Sequence, residues 1–151
     1  VAQGDFLTAV VALRAPASVT PDDGAMALLL AQKALERTMG RVKRERWGPR
    51  ELDLDLLLFG DAEIHVEREA AARSIDPARV GVQWLDVPHP SAAGRSFVLA
   101  PLSELAPELV PPGWAMSVDG ARDRAAATEA PDAVTAVGAW DFRTGRWLEV
   151  A

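Results

Sequence analysis

The sequence predicts an α+β sandwich, and three patterns carry the prediction. Residues 6–13 form a continuous apolar, β-branched run of strand length. Residues 21–39 repeat apolar side chains at helical spacing, and residues 52–59 alternate leucine with aspartate before Gly60 turns the chain into a second short apolar stretch. Strand, helix, loop, strand, hairpin partner and short helix in that order fit an α+β arrangement better than an all-α bundle or a parallel doubly wound sheet. Neither standard Gly-rich phosphate loop is present, which disfavours a P-loop or dinucleotide site.

Taken in order, the run at 6–13 reads as a buried strand ended by Pro16. Thr20, Pro21, Asp22 and Asp23 then make a helix start: a capping hydroxyl, a proline in the first turn, and acids against the positive end of the dipole. Ala25, Leu28, Leu29, Gln32, Leu35 and Met39 supply one mostly apolar stripe, and Gly40 stops the helix. Residues 41–50 form a loop, because Gly48-Pro49 cannot continue a helix, and five of its ten side chains are cationic. Residues 63–66 are expected to pair with 52–59 as a hairpin. A polar, alanine-rich stretch follows at 67–83, predicted as a short helix plus loop, and Pro88-His89-Pro90 marks a constrained loop. Residues 95–99 read as a short apolar segment feeding a short helix at 101–105, and Pro107, Pro111, Pro112 and Gly113 break the pattern. The tail from 114 changes character, with an Ala/Asp/Arg-rich middle. It closes on an alternation around Thr144-Gly145 that predicts a terminal β-hairpin.

The chemistry concentrates at Asp53 and Asp55. Along a strand these two side chains point the same way, about 6.5 Å apart at the backbone, while Leu52, Leu54, Leu56 and Leu58 face the core. Two carboxylates on one rigid face, just after an arginine-rich turn, suit a hard divalent cation and a polyphosphate. A solvated strand face that happens to carry aspartate accounts for the same residues. Against that stands the rarity of aspartate in strands and the mutual repulsion of like charges.

Composition narrows the choice. A chain of 151 residues argues for one domain with a small appendage. A formal net charge of −6 denies the molecule a general affinity for nucleic acid or anionic membrane, so any polyanion must meet a local basic cluster. With no cysteine and only His65 and His89, thiolate and multi-histidine metal sites are excluded. No apolar run is long enough to span a bilayer and no signal peptide is visible, so a cytoplasmic enzyme or binding domain is expected.

The run Arg46-Trp47-Gly48-Pro49-Arg50-Glu51-Leu52-Asp53-Leu54-Asp55-Leu56-Leu57 resembles the signature of 6-hydroxymethyl-7,8-dihydropterin pyrophosphokinases of folate biosynthesis. Gly40-Arg41-Val42, then Val87-Pro88-His89-Pro90, then Arg95 through Leu102 resemble further blocks of that family in the same order, and Phe6-Leu7-Thr8-Ala9-Val10 resembles an earlier one. The match covers roughly residues 3–112, leaving 113–151 as a C-terminal extension with a β-hairpin.

The resemblance implies a ferredoxin-like antiparallel sheet packed with helices, and transfer of pyrophosphate from ATP to the hydroxymethyl group of the dihydropterin, giving AMP and the pterin diphosphate. It implies two Mg²⁺ ions on Asp53 and Asp55, with ATP as co-substrate. Arg50 and Arg41 would contact the phosphates during transfer, and Arg46, Lys43, His89 and Arg95 would bind ATP. Phe6, Thr8, Trp47 and Phe97 would line the pterin site, Phe97 being the better stacking face. Glu36 lies near a family position close to the nucleotide, although a solvated helix face is the expectation there. Small-molecule substrates are implied, with no nucleic-acid or membrane partner, and with room for fusion to or association with other folate-pathway enzymes.

The chain departs from the family pattern in three places. Thr8 stands where asparagine is usual, and its hydroxyl cannot make the paired contact of an amide at the pterin edge. The stretch between Arg41 and Trp47 is one residue shorter than the commoner spacing. The family's first strand, its Gly-rich turn and the following helix and strand have no counterpart before Val1, so the domain is expected to be N-terminally incomplete. An alternative is therefore a catalytically impaired fragment or nucleotide-binding module of a folate-pathway protein. A basic-loop nucleic-acid binder is the third reading, disfavoured by the net acidity.

Overall fold

In the computed structural model, residues 5–18, 20–39, 52–74, 76 and 78–150 are described. Helix α1 spans Pro21–Thr38 and starts as its sequence dictates. The Thr20 side chain accepts the Asp23 N–H at 3.1 Å, its hydroxyl donates to the Asp23 carboxylate at 2.8 Å, and Pro21 occupies the first turn. Ala25, Met26 and Leu29 form its buried stripe. Gly24 sits where no Cβ would fit, since one would lie 2.8 Å from Phe59 Cζ. The helix thereby presses directly on the aspartate-bearing segment.

Strands β1 (Ile64–Glu67) and β2 (Trp84–Val87) pair antiparallel, with Ile64 opposite Val87 and Val66 opposite Leu85. This register puts four apolar side chains on one face, toward the core, and His65, Trp84 and Asp86 on the other. The expected hairpin between 52–59 and 63–66 is therefore corrected: β1 takes its partner from 84–87. Residues 52–59 are extended but belong to no ladder among the described residues, and the His89 N–H donates to the Leu57 carbonyl at 2.9 Å.

The expected strand at 6–13 is likewise overturned. Residues 5–13 form no strand and are mostly exposed, because apolar β-branched sequence becomes a strand only where a neighbour accepts its backbone bonds. Residues 95–99, expected as a short apolar segment feeding a helix at 101–105, are themselves mainly the first turns of helix α2 (Ser96–Leu105). Pro101 lies inside that helix and has no N–H for the Phe97 carbonyl one turn back. The Thr8 hydroxyl donates to that carbonyl at 3.3 Å, so the N-terminal segment supplies the bond that the proline removes.

Helix α3 (Val118–Ala126) is capped by Ser117, whose side chain accepts the Gly120 N–H, and it packs against α2. Short 3-10 turns stand at Ala70–Ala72, within the stretch where a short helix is expected, and at Ala92–Gly94. The terminal hairpin is present as β3 (Gly138–Asp141) and β4 (Arg146–Glu149), with Trp140 edge-on to Trp147 and Gly145 at positive φ in the turn. Among the described residues, three helices and two small antiparallel sheets make an α+β fold.

Two apolar clusters hold these elements. One joins α1, β1 and β2 around Leu29, Leu56, Ile64 and Leu85; the other joins α2 and α3 around Leu99, Leu102 and Val118. The aspartate-bearing segment bridges them, with Leu56 in the first and Leu58 packed on the second. Leu99 is fully buried (0% exposed), so Leu99→Ala should lower the unfolding free energy by about 2–5 kcal/mol. Urea titration followed by circular dichroism measures this, with the half-exposed Leu148→Ala in β4 as a control that should stay within about 0.5 kcal/mol.

Candidate functional site

The alternation at 52–59 survives without a strand ladder. Leu52, Leu54 and Leu56 turn inward while Asp53 and Asp55 are exposed on the opposite side. The segment is held from three directions. Leucines pack below it, the Phe59 ring lies against α1, and the Leu54 N–H donates to Glu36 Oε1 at 2.8 Å. Glu36 is buried at 1% exposure, which corrects the expectation of a solvated helix face. Lys33 Nζ bonds both of its oxygens at 3.0 and 3.1 Å, an i,i+3 ion pair that orients the buried carboxylate.

His89 lies in the fields of charged residues from separate stretches: Asp55, Asp86, Arg95 and Arg68. His89 follows β2 and is tied to the segment through its N–H to Leu57 O. Arg95 stands at the N-terminal cap of α2, with its guanidinium carbon 5.8 Å from the Phe97 ring centroid. Arg68, just past β1, donates Nε to the Trp84 carbonyl at 2.8 Å. Sequence reasoning passed over Arg68: nothing in 67–83 marks it, and only the β1–β2 pairing brings it near Asp55 and Asp86. Burial, reinforced by Arg79, pulls its guanidinium below the ordinary value, and the fields of Asp55, Asp86 and Glu36 oppose that shift.

His89 is also shifted. Burial lowers its imidazole pKa below the ordinary 6.5; Asp55 and Asp86 oppose this, while Arg95 and Arg68 add to it. The Ser91 N–H donates to His89 Nδ1 at 3.2 Å, which favours the neutral ring with its proton on Nε2. On the outer face of β1–β2, His65 stacks on Trp84 at 4.3 Å between centroids and its Nδ1 lies 2.5 Å from Asp86 Oδ1.

Of the expected site residues, Asp53 and Asp55 share the exposed side of their segment, His89 lies in the fields of Asp55 and Arg95, and Thr8 is joined to Phe97. Phe6 is largely exposed on the N-terminal segment and Phe97 is partly exposed on α2. Arg41, Lys43, Arg46, Trp47 and Arg50 lie outside the described residues. As a cation site the described donors are incomplete, since no group of three or more acidic or histidine ligands is present among them. Two exposed carboxylates on one face still fit Mg²⁺, which takes one or two carboxylates and completes its shell with water and phosphate oxygens.

Residues 1–107 match the family model of 7,8-dihydro-6-hydroxymethylpterin-pyrophosphokinase. The chain belongs to that family. It is 39% identical over 110 residues to the 2-amino-4-hydroxy-6-hydroxymethyldihydropteridine pyrophosphokinase of Synechocystis sp., covering 73% of this chain and 45% of that protein. It is 36% identical over 110 residues to the enzyme of the same name from Aquifex aeolicus, covering 73% and 55%. With the Pseudomonas aeruginosa enzyme it shares 44% over 82 residues, covering 54% and 41%. The chain spans about half the length of these curated relatives. The family match takes in the aspartate pair, His89 and Arg95, and the α3 and β3–β4 regions lie beyond it. No described helix is long and apolar enough to cross a membrane.

Because His89 is held neutral in the fold, unfolding takes up a proton wherever the pH falls below its ordinary value. Its contribution to stability is therefore fully present above about pH 6.5 and is lost progressively below it, as the pH falls through the lowered folded-state value. Denaturant unfolding at about pH 7 and about pH 5 should show a smaller acid-side drop for His89→Asn than for the parent chain.

Proposed function

We propose that this chain carries the nucleotide half, and a modified pterin half, of a Mg²⁺-dependent pyrophosphokinase. In this reading the pyrophosphoryl group of ATP passes to 6-hydroxymethyl-7,8-dihydropterin, giving AMP and the pterin diphosphate for folate synthesis in the cytoplasm. The observation that carries it is the pair of exposed carboxylates on the anchored 52–59 segment, with His89 and Arg68 in the field of Asp55 and Arg95 acting on His89.

Bound Mg²⁺, two ions on Asp53 and Asp55, would neutralise charge on the transferred group and on the leaving AMP. The protein's own work is positioning. Asp53 and Asp55 fix the polyphosphate relative to the core through the cations they hold. Arg95 presents a guanidinium fork to phosphate oxygens, and His89, neutral with Nε2–H outward from its Ser91 contact, adds a donor. Arg41 and Arg50 are assigned to the phosphates during transfer, Arg46 and Lys43 to ATP, and Trp47 to closure over the pterin. Phe97 and Phe6 supply apolar faces for the flat ring.

The fold of residues 1–112 is read as ferredoxin-like and 113–151 as an extension, with fusion to or association with other folate-pathway enzymes part of the same reading.

One observation favours a second reading. The Thr8 hydroxyl hydrogen is committed to the Phe97 carbonyl, leaving only acceptor capacity toward a pterin edge. A nucleotide-binding module with weak pterin affinity would follow from that commitment. Both readings meet one experiment: AMP release with ATP, Mg²⁺ and the dihydropterin, beside separate titrations of ATP·Mg²⁺ and of pterin. Turnover that falls at least about 100-fold in Asp55→Ala supports the enzyme. Full turnover in that variant sinks the metal role, and nucleotide binding without pterin binding selects the module.

A further inference from the structure

Helix α1 spends a buried charge on the aspartate-bearing segment. Glu36 sits in the last turns of α1, where a carboxylate meets both the desolvation cost of burial and the negative end of the helix dipole. An apolar residue of similar size is commonly neutral or stabilising in such a place. What the carboxylate does there is specific. Its Oε1 accepts the N–H of Leu54, the residue between Asp53 and Asp55, at 2.8 Å. Lys33 Nζ, bonded to both oxygens, neutralises and orients it.

Segment 52–59 joins no strand ladder among the described residues, so a side-chain oxygen receives the backbone donor that a neighbouring strand would otherwise take. A charge-assisted bond at that one peptide fixes the plane on which both flanking aspartates are mounted. Leucine packing alone would hold the segment to the core without setting that plane.

We propose that Glu36 is a positioning residue: by holding the Leu54 N–H it sets the direction and separation of the Asp53 and Asp55 carboxylates, and so how tightly the pair takes a divalent cation. The inference rests on the reading of those aspartates as the metal pair. It predicts that metal affinity depends on an acceptor oxygen at the reach of Glu36, beyond any need for charge at that position.

Mn²⁺, read from the electron paramagnetic resonance of the free ion in the presence of a non-hydrolysable ATP analogue, tests it on the full chain. The variants are Glu36→Asp, Glu36→Ala, Glu36→Gln combined with Lys33→Met, and Asp55→Ala, each checked for fold by circular dichroism. Glu36→Asp keeps a charge beside Lys33 but falls one methylene short of Leu54, and it should weaken Mn²⁺ binding about fivefold or more. Glu36→Ala should weaken it about tenfold. The Gln/Met pair keeps the acceptor without stranding a buried ammonium, and should stay within about threefold of the parent. Amide exchange over residues 52–59, measured without metal, should quicken in Glu36→Asp and not in the Gln/Met pair.

Parent-like Mn²⁺ affinity in Glu36→Asp, alongside loss in Asp55→Ala, overturns the inference and leaves the metal reading standing. No Mn²⁺ binding by the parent chain, or parent-like binding by Asp55→Ala, overturns both. Should Glu36→Ala fail to fold, Glu36→Asp and the Gln/Met pair decide the matter alone.

Discussion

The molecule depends on how an extended, unpaired segment is kept straight. Residues 52–59 have the alternation of a strand without a strand on either side among the described residues, so their geometry is imposed by packing and by borrowed hydrogen bonds. Leu56 is locked into one apolar cluster and Leu58 leans on the other. The Phe59 ring presses on α1 where only glycine leaves room, Glu36 holds Leu54, and His89 holds Leu57. Each constraint is modest alone. Together they leave the acidic side chains little choice but to face solvent as a pair, with the leucines as counterweight.

Electrostatics then follow from what the fold places opposite that pair. Asp53 and Asp55 would repel each other on a bare surface, and the chain as a whole is acidic. Arg68 and His89 lie in the field of Asp55, and burial with the neighbouring Arg95 and Arg68 lowers the imidazole pKa. The result is a local field of mixed sign, suited to a ligand that carries its own negative charge and a counter-cation. The Thr8 contact with Phe97 is of another kind. It repairs a helix interrupted by Pro101, and in doing so ties the exposed N-terminal segment to α2 beside a half-exposed aromatic ring.

Much of this was legible residue by residue. The cap, proline and acids at 20–23 announced α1 to within a residue, because those signals act through bonds inside the helix itself. The alternation of leucine and aspartate announced which side of 52–59 is wet, since period-two burial needs only an extended backbone and a core. The Thr144-Gly145 turn announced the last hairpin for the same local reason. The run at 6–13 misled, because strand-like composition says nothing about whether a partner strand is present. The partner of β1 was misassigned because 52–59 is nearer in sequence and both 52–59 and 84–87 carry apolar residues at their inward positions, so the pattern alone does not choose between them.

Sequence by itself determined the chemistry available: which residue types stand at which spacing, the aspartate pair, the ordered motif blocks and the family they belong to. These are properties of short stretches, carried by local geometry and by residue identity. Only the tertiary structure decided that Glu36 is buried under the pair instead of solvated, that Arg68 bonds the Trp84 carbonyl, and that Thr8 spends its hydrogen on Phe97. Each of those depends on a contact between residues 16 or more apart in the chain. Such contacts are chosen by how apolar faces pack against one another, and no periodicity within a single segment encodes them.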